Sequence, residues 1–299
     1  MLESILNPKE ARNNMLEVFV VSAVFTIVSA IFSYYLFPKY SSVLICAFIT
    51  VLFAPFFQRM FSAEEAKEEF AARHGTDKNL FQRHAHVLKI YSAYFLGVIV
   101  MTSLIFAFLP VSTKTVLFDM QISEVERLSG MSVTGNVVNF GVASGIFANN
   151  VIVLMFAFIL SFLFGTGAIF ILSWNASVIA VYVGGYVNSL IARGMVPGLA
   201  YVYGMPYALL SITMHGIPEI FGYFFAGMAG GILSVGIIHE KIGSRQMKKV
   251  FFDSLILLGF GVFSLFVGAF IETGSLLLSS VGFVAYLVFL TGLCYYGKS

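Results

Sequence analysis

Long apolar runs separated by short polar breaks dominate this chain. A helix needs about 20 mostly apolar residues to cross a bilayer. Runs that meet or approach that length lie at 17–37, 41–57, 89–110, 148–172, 174–192, 217–238, 250–271 and 275–296. They predict an all-α fold, a polytopic transmembrane helix bundle of about eight spans. The second span is short and must stand nearly upright or thin the bilayer locally. The run from Val18 to Phe37 is too long for a signal-peptide core and reads as a retained span. One further apolar piece, 198–214, is of intermediate length and carries Gly204 and Pro206. It predicts a re-entrant or broken helix rather than another crossing.

Three regions follow from this pattern. Residues 1–110 form an N-terminal membrane region of three spans, with a cytosolic loop at 58–88. Within it, Asn7-Pro8 is a cap followed by proline at a first helical position, predicting a short interfacial helix. Ser62 and Glu65 stand at capping-box spacing, so a short cytosolic helix should begin there. Its Glu64, Glu65, Glu68 and Glu69 read as a solvated face. Residues 111–147 form an extracytoplasmic loop in which Phe118, Ile122, Val125 and Leu128 recur at helical spacing, predicting a helix along the outer membrane surface. Residues 148–299 form a C-terminal membrane core.

Composition and charge sharpen the picture. The 299 residues are 59% hydrophobic and 11% charged, against roughly a quarter charged in an ordinary soluble domain. Such a chain cannot cover itself with polar surface, so membrane lipid is part of its solvent. A net charge of +2 gives no reason to expect a nucleic-acid partner. With both termini cytoplasmic, thirteen of the 17 basic residues fall on the inner side, as the positive-inside rule requires of a multi-pass cell-membrane protein. Were 198–214 a full crossing of its own, the basic loop 239–249 would move outside and this agreement would break. Cys46 and Cys294 lie in apolar runs outside any CxxC pair and read as small buried hydrophobes.

Ionisable residues inside a membrane are scarce and rarely idle. Here they are Glu219, Glu272 and the nearby His215. Pro218 lacks an amide hydrogen and clashes with the carbonyl of Met214, so the run His215-Gly216-Ile217-Pro218-Glu219 predicts a helix break with Glu219 in the first turn of a new helix. Gly222, Ala226 and Gly230 form a ridge that lets a neighbouring helix approach closely, which turns Glu219 toward protein. In this topology Asn149 and Asn150, Glu219, Glu272 and His215 meet near the outer leaflet as one buried polar cluster. Its simplest role is a hydrogen-bonded plug, with His215 bonded to a carboxylate. Proton or substrate coupling in a transporter or channel is a second reading. A third is a zinc site with His215, Glu219 and Glu272 as ligands, serving an intramembrane hydrolase, although no paired HExxH motif is present.

Other motifs carry less. His84 and His86 form an HxH pair, with His74 upstream, but no carboxylate or cysteine is fixed nearby in sequence, so they read as surface-loop residues. Gly165-Thr166-Gly167 lacks the lysine of a phosphate loop and falls inside an apolar run, which excludes nucleotide binding there. Asn175, beside the interfacial Trp174, reads as the cap of the following helix.

The stretches FANNVIVLMFAFILSFLFGTGAIFILSWNASVIAVYVG (147–184) and HGIPEIFGYFFAGMAGGIL (215–233), with a span ending in Ile271-Glu272, resemble the stage II sporulation protein M family. The pattern of that family has an asparagine opening a span, a glycine-rich turn, a second asparagine, HGxxE and a late membrane glutamate. Carried onto this chain, these are Asn150, Gly165 and Gly167, Asn175, His215, Gly216 and Glu219, and Glu272. The NPKEA opening and the charged loop after two spans resemble the longer, archaeal-type members. In spore formers the family member is a scaffold for peptidoglycan hydrolases. The resemblance thus implies a non-enzymatic membrane scaffold that organises protein partners or further copies of itself, without a cofactor.

Overall fold

The computed structural model describes residues 14–74, 80–131, 140–241, 243–274 and 276–295. Among these, ten α-helices and no strand occur: α1 (Met15–Leu36), α2 (Ser41–His74), α3 (Leu80–Phe108), α4 (Val111–Leu117), α5 (Asp119–Met131), α6 (Phe140–Phe164), α7 (Ala168–Ala192), α8 (Pro197–His239), α9 (Arg245–Thr273) and α10 (Leu276–Tyr295). Seven helices are long and apolar enough to cross a membrane, and α10 contains a shorter apolar stretch, Leu278–Leu293. The protein is an all-α membrane helix bundle. The interfacial helix expected at Asn7-Pro8 lies outside the described residues. Asn14 caps α1, its side-chain oxygen accepting from the Glu17 amide at 3.3 Å.

Several helix boundaries differ from the expectations. Residues 197–239 form one continuous helix of 43 residues, so 198–214 is neither re-entrant nor broken from the next span. Pro218 removes a single amide donor, whereas unwinding the chain there would strand several backbone groups in apolar surroundings. Joined, the two pieces make one candidate span, Pro197–His239. Helix α2 runs through Ser62 to His74, so no separate cytosolic helix begins at Ser62. That hydroxyl donates instead to the Gln58 carbonyl at 3.1 Å, one turn back. The link between α6 and α7 falls at Gly165–Gly167, not near residue 173, which leaves Asn175 inside α7 rather than capping it.

Three consecutive links are very short: residues 165–167, 193–196 and 240–244. Each contains one glycine in the left-handed region, Gly165 at φ 71°, Gly194 at φ 96° and Gly243 at φ 88°. A side chain there would strain the backbone, so glycine is what allows the chain to reverse in so few residues.

The helices sort into two compact units. The first comprises Met1–Phe53, Ser92–Ser132 and Leu172–Thr213. In it α1 turns Ser22, Thr26, Ser29 and Ser33 inward. A Cβ at Gly97 would lie 2.5 Å from the Phe19 carbonyl oxygen, so α1 and α3 touch backbone to backbone. The helix expected at 118–128 is present as α5, beginning just after Phe118, and the apolar stripe turns inward only in part. Phe118 is buried, Ile122 and Val125 are half-buried and Leu128 is exposed, while the polar Gln121 is buried. The Gln121 amide donates to the Ser42 carbonyl at 2.7 Å and to the Ser177 hydroxyl at 3.2 Å. The Ser41 hydroxyl donates to the Val116 carbonyl at 2.8 Å. Cys46 is buried, as expected, with its sulfur 3.6 Å from the Ser177 hydroxyl.

The second unit comprises Ala54–Tyr91, Val133–Ile171 and Met214–Ser299. An aromatic cluster of Phe57, Phe61, Tyr91 and Phe224 fills its core. The expected glycine ridge on α8 is an interhelical seam. A Cβ at Gly222 would stand 3.0 Å from the Gly261 carbonyl of α9, and one at Gly230 would collide with the Phe158 carbonyl of α6. Ala226, between them, is buried.

Candidate functional site

Helix α6 carries Asn150 in its middle, facing α8. Its side-chain nitrogen donates to Glu219 Oε1 at 2.7 Å, and its side-chain oxygen accepts from the Tyr223 hydroxyl at 3.0 Å. Asn149 contributes a longer contact, 3.4 Å from its nitrogen to the same Asn150 oxygen. Glu219 and Tyr223 are one turn apart on α8, so both point at the same stretch of α6. On the other side, α9 offers Gly268, where a Cβ would lie 2.8 Å from Glu219 Cγ and 3.3 Å from the His215 carbonyl oxygen. The glycine makes room for the carboxylate, and the glycine seam brings the helices close enough for the amide to reach it.

The expected cluster is therefore assembled in part. Asn150 and Tyr223 are buried, whereas Glu219, His215 and Asn149 are half-buried. Glu272 is exposed in the last turn of α9, one helical turn past Gly268, which packs on Glu219. The plug is a carboxylate–amide–phenol chain, and Glu219 finds its donor in Asn150 rather than in His215. Tyr223 was not among the expected residues, although its spacing from Glu219 signals a shared face. Gly216 has open space where a Cβ would stand, and Pro218 is buried within the helix. Among the described residues, no group of three His, Cys, Asp or Glu side chains is placed to hold a metal ion. Chemically, the arrangement ties the Glu219 side chain of α8 to α6 through the Asn150 amide.

A second polar cluster contradicts the sequence reading. Glu64 is not on a solvated face but 1% exposed, and His84 and His86 are not in a loop but in the first turns of α3. Glu64 Oε2 stands 2.8 Å from His84 Nδ1, and Oε1 stands 2.7 Å from His86 Nε2. Lys67 completes the group with an ion pair to Glu64 Oε1. The partner carboxylate that the HxH pair lacked in sequence is supplied by α2. The signal was present: Phe57, Met60, Phe61 and Glu64 fall at helical spacing on one buried stripe. Beside His84, Arg83 bonds Asp253 Oδ2 at 2.8 Å, and Lys249 bonds the same oxygen at 2.6 Å. Buried charges survive only when paired in this way.

The glycine turn, the asparagine facing a membrane glutamate and the HGxxE run thus occupy one helical framework. No curated protein and no solved structure is significantly similar to the chain. The family model for Stage II sporulation protein M matches residues 18–274, most of the chain, including Asn150, Gly165, Gly167, His215, Glu219 and Glu272. The chain belongs to the stage II sporulation protein M family.

Proposed function

We propose that this membrane protein is a scaffold of the stage II sporulation protein M type, which gathers protein partners or a second copy of itself at the cell membrane through the helical pair α4–α5. The supporting observation is that this pair is fastened to the helix bundle instead of hanging from it. Leu117, Phe118 and Gln121 are buried, and Gln121 bonds the start of α2 and the middle of α7. A helix held this way presents its other face at a fixed position, which lowers the entropy cost of binding. That face carries exposed Met120 and Leu128 beside the Glu124–Arg127 ion pair. The Arg127 guanidinium holds the Glu124 carboxyl below its ordinary range, so the pair stays charged at neutral pH.

The polar chain at Asn150 agrees with this reading, since an amide already occupies the Glu219 carboxylate. The orientation with both termini cytoplasmic is retained, because α8 as a single crossing leaves thirteen of the 17 basic residues on the inner side. The test is crosslinking of the full chain in native membranes. Wild type yields a reproducible crosslinked partner or dimer, and a Met120→Asp, Leu128→Asp double variant does not. Failure to capture any partner, together with flux in proteoliposomes that vanishes in Glu219→Gln, overturns the scaffold in favour of a transporter.

A further inference from the structure

The exposed face of α9 changes character at one end. Phe252, Leu255, Ile256, Phe263, Phe266 and Phe270 lie along one side of the helix, interrupted by the exposed Gly259 in the middle, and all are exposed. Continued toward the start of the helix, the same face reaches Lys248 and then Arg245, also exposed. From Lys248 to Phe270 is about 33 Å at roughly 1.5 Å per residue, close to the ~30 Å hydrocarbon thickness of a bilayer. The cations therefore stand at headgroup depth when the apolar stripe lies in lipid.

Asp253 is the nearest carboxylate along α9 and is taken twice, by Lys249 and by Arg83. Among the described residues, Arg245 and Lys248 make no ion pair. Like charges three residues apart on a helix repel one another, and an anion between them relieves this.

We propose that the Arg245 end of this face of α9 is a binding site for an anionic phospholipid, whose acyl chains lie along Phe252, Leu255 and Ile256 and whose phosphate sits between Arg245 and Lys248. The apolar stripe and the cationic end match the two halves of such a molecule, and charge complementarity selects an anionic headgroup over a zwitterionic one. The site shares no residue with the α4–α5 face, and the scaffold reading can fail without touching it.

Native mass spectrometry of the full chain in detergent, titrated with phosphatidylglycerol or phosphatidylcholine of matched acyl chains, tests the proposal. Wild type should retain phosphatidylglycerol preferentially. The double variant Arg245→Gln, Lys248→Gln should bind it roughly thirty-fold more weakly, the effect of two headgroup-level charges, with phosphatidylcholine binding unchanged. If the double variant does not fold, Lys248→Gln alone should weaken binding roughly five-fold. Equal retention of the two lipids by wild type, or equal phosphatidylglycerol binding by wild type and variants, overturns the proposal. So does competition by glycerol phosphate at the concentration of the lipid, because a soluble anion has no use for the apolar stripe.

Discussion

Replacing Asn150 by alanine removes both hydrogen bonds that join α6 to α8 at the polar chain. Glu219 loses its amide donor at 2.7 Å, and the Tyr223 hydroxyl loses its acceptor at 3.0 Å. Each substitution-stranded partner, Glu219 and Tyr223, costs about 1–2 kcal/mol when left buried without its hydrogen bond. The expected destabilisation is therefore about 2–4 kcal/mol. At about 2 °C per kcal/mol, the low end because the chain is long, the apparent melting temperature should fall by roughly 4–8 °C. The assay is thermal unfolding in detergent at one fixed scan rate, since unfolding of such a protein is expected to be irreversible. A double-mutant cycle with Glu219→Leu isolates the pair, with an expected coupling of about 1.5 kcal/mol or more. If the two substitutions add to within about 0.5 kcal/mol, the hydrogen bond contributes nothing specific and the reasoning is refuted.

Other substitutions discriminate among neighbouring claims, with the same unfolding assay as the measurement. Gly230→Ala drives a Cβ into the Phe158 carbonyl and should cost more than about 2 kcal/mol, whereas Gly216→Ala, facing open space, should be neutral or stabilise by about 0.5–1 kcal/mol through helix propensity. At the second cluster, His84→Leu deprives the buried Glu64 carboxylate of a partner and should cost about 3 kcal/mol. Glu64→Gln should cost only about 1 kcal/mol, because a histidine can shed its charge and Lys67 can turn to water. A cysteine placed at residue 245 should react with a membrane-permeant thiol reagent and resist an impermeant one added from outside; labelling from outside would reverse the orientation.

The sequence displays its spans well because bilayer thickness sets a length that apolar runs either reach or miss. Where hydropathy changes little, it places boundaries poorly. Gly165, Thr166 and Gly167 interrupt two apolar helices without any charged residue, so the turn was invisible to run length and visible only through the family pattern. Pro218 suggests a break that α8 does not have, because one missing amide is a smaller penalty than several stranded backbone groups. The acidic neighbours of Glu64 suggest a solvated face, although Glu64 continues the buried stripe of Phe57, Met60 and Phe61. Its counter-charges come from α3, and a pairing between helices cannot be read along one of them. The meeting of Asn150 with Glu219 was inferred as proximity, but the choice of donor depended on which residue faces α8 at that depth.

The three glycine reversals at 165, 194 and 243 bear on how the chain enters the membrane. Each link is too short to carry a domain or a long charged tail, so helices α6 to α9 behave as a folded ribbon in which the direction of one strip dictates all the others. On the positive-inside rule, Lys241 in the final bend and Arg245, Lys248 and Lys249 just after it would then bias all four helices together. Lengthening any one reversal would let its two sides insert as separate passengers, each free to choose its own direction.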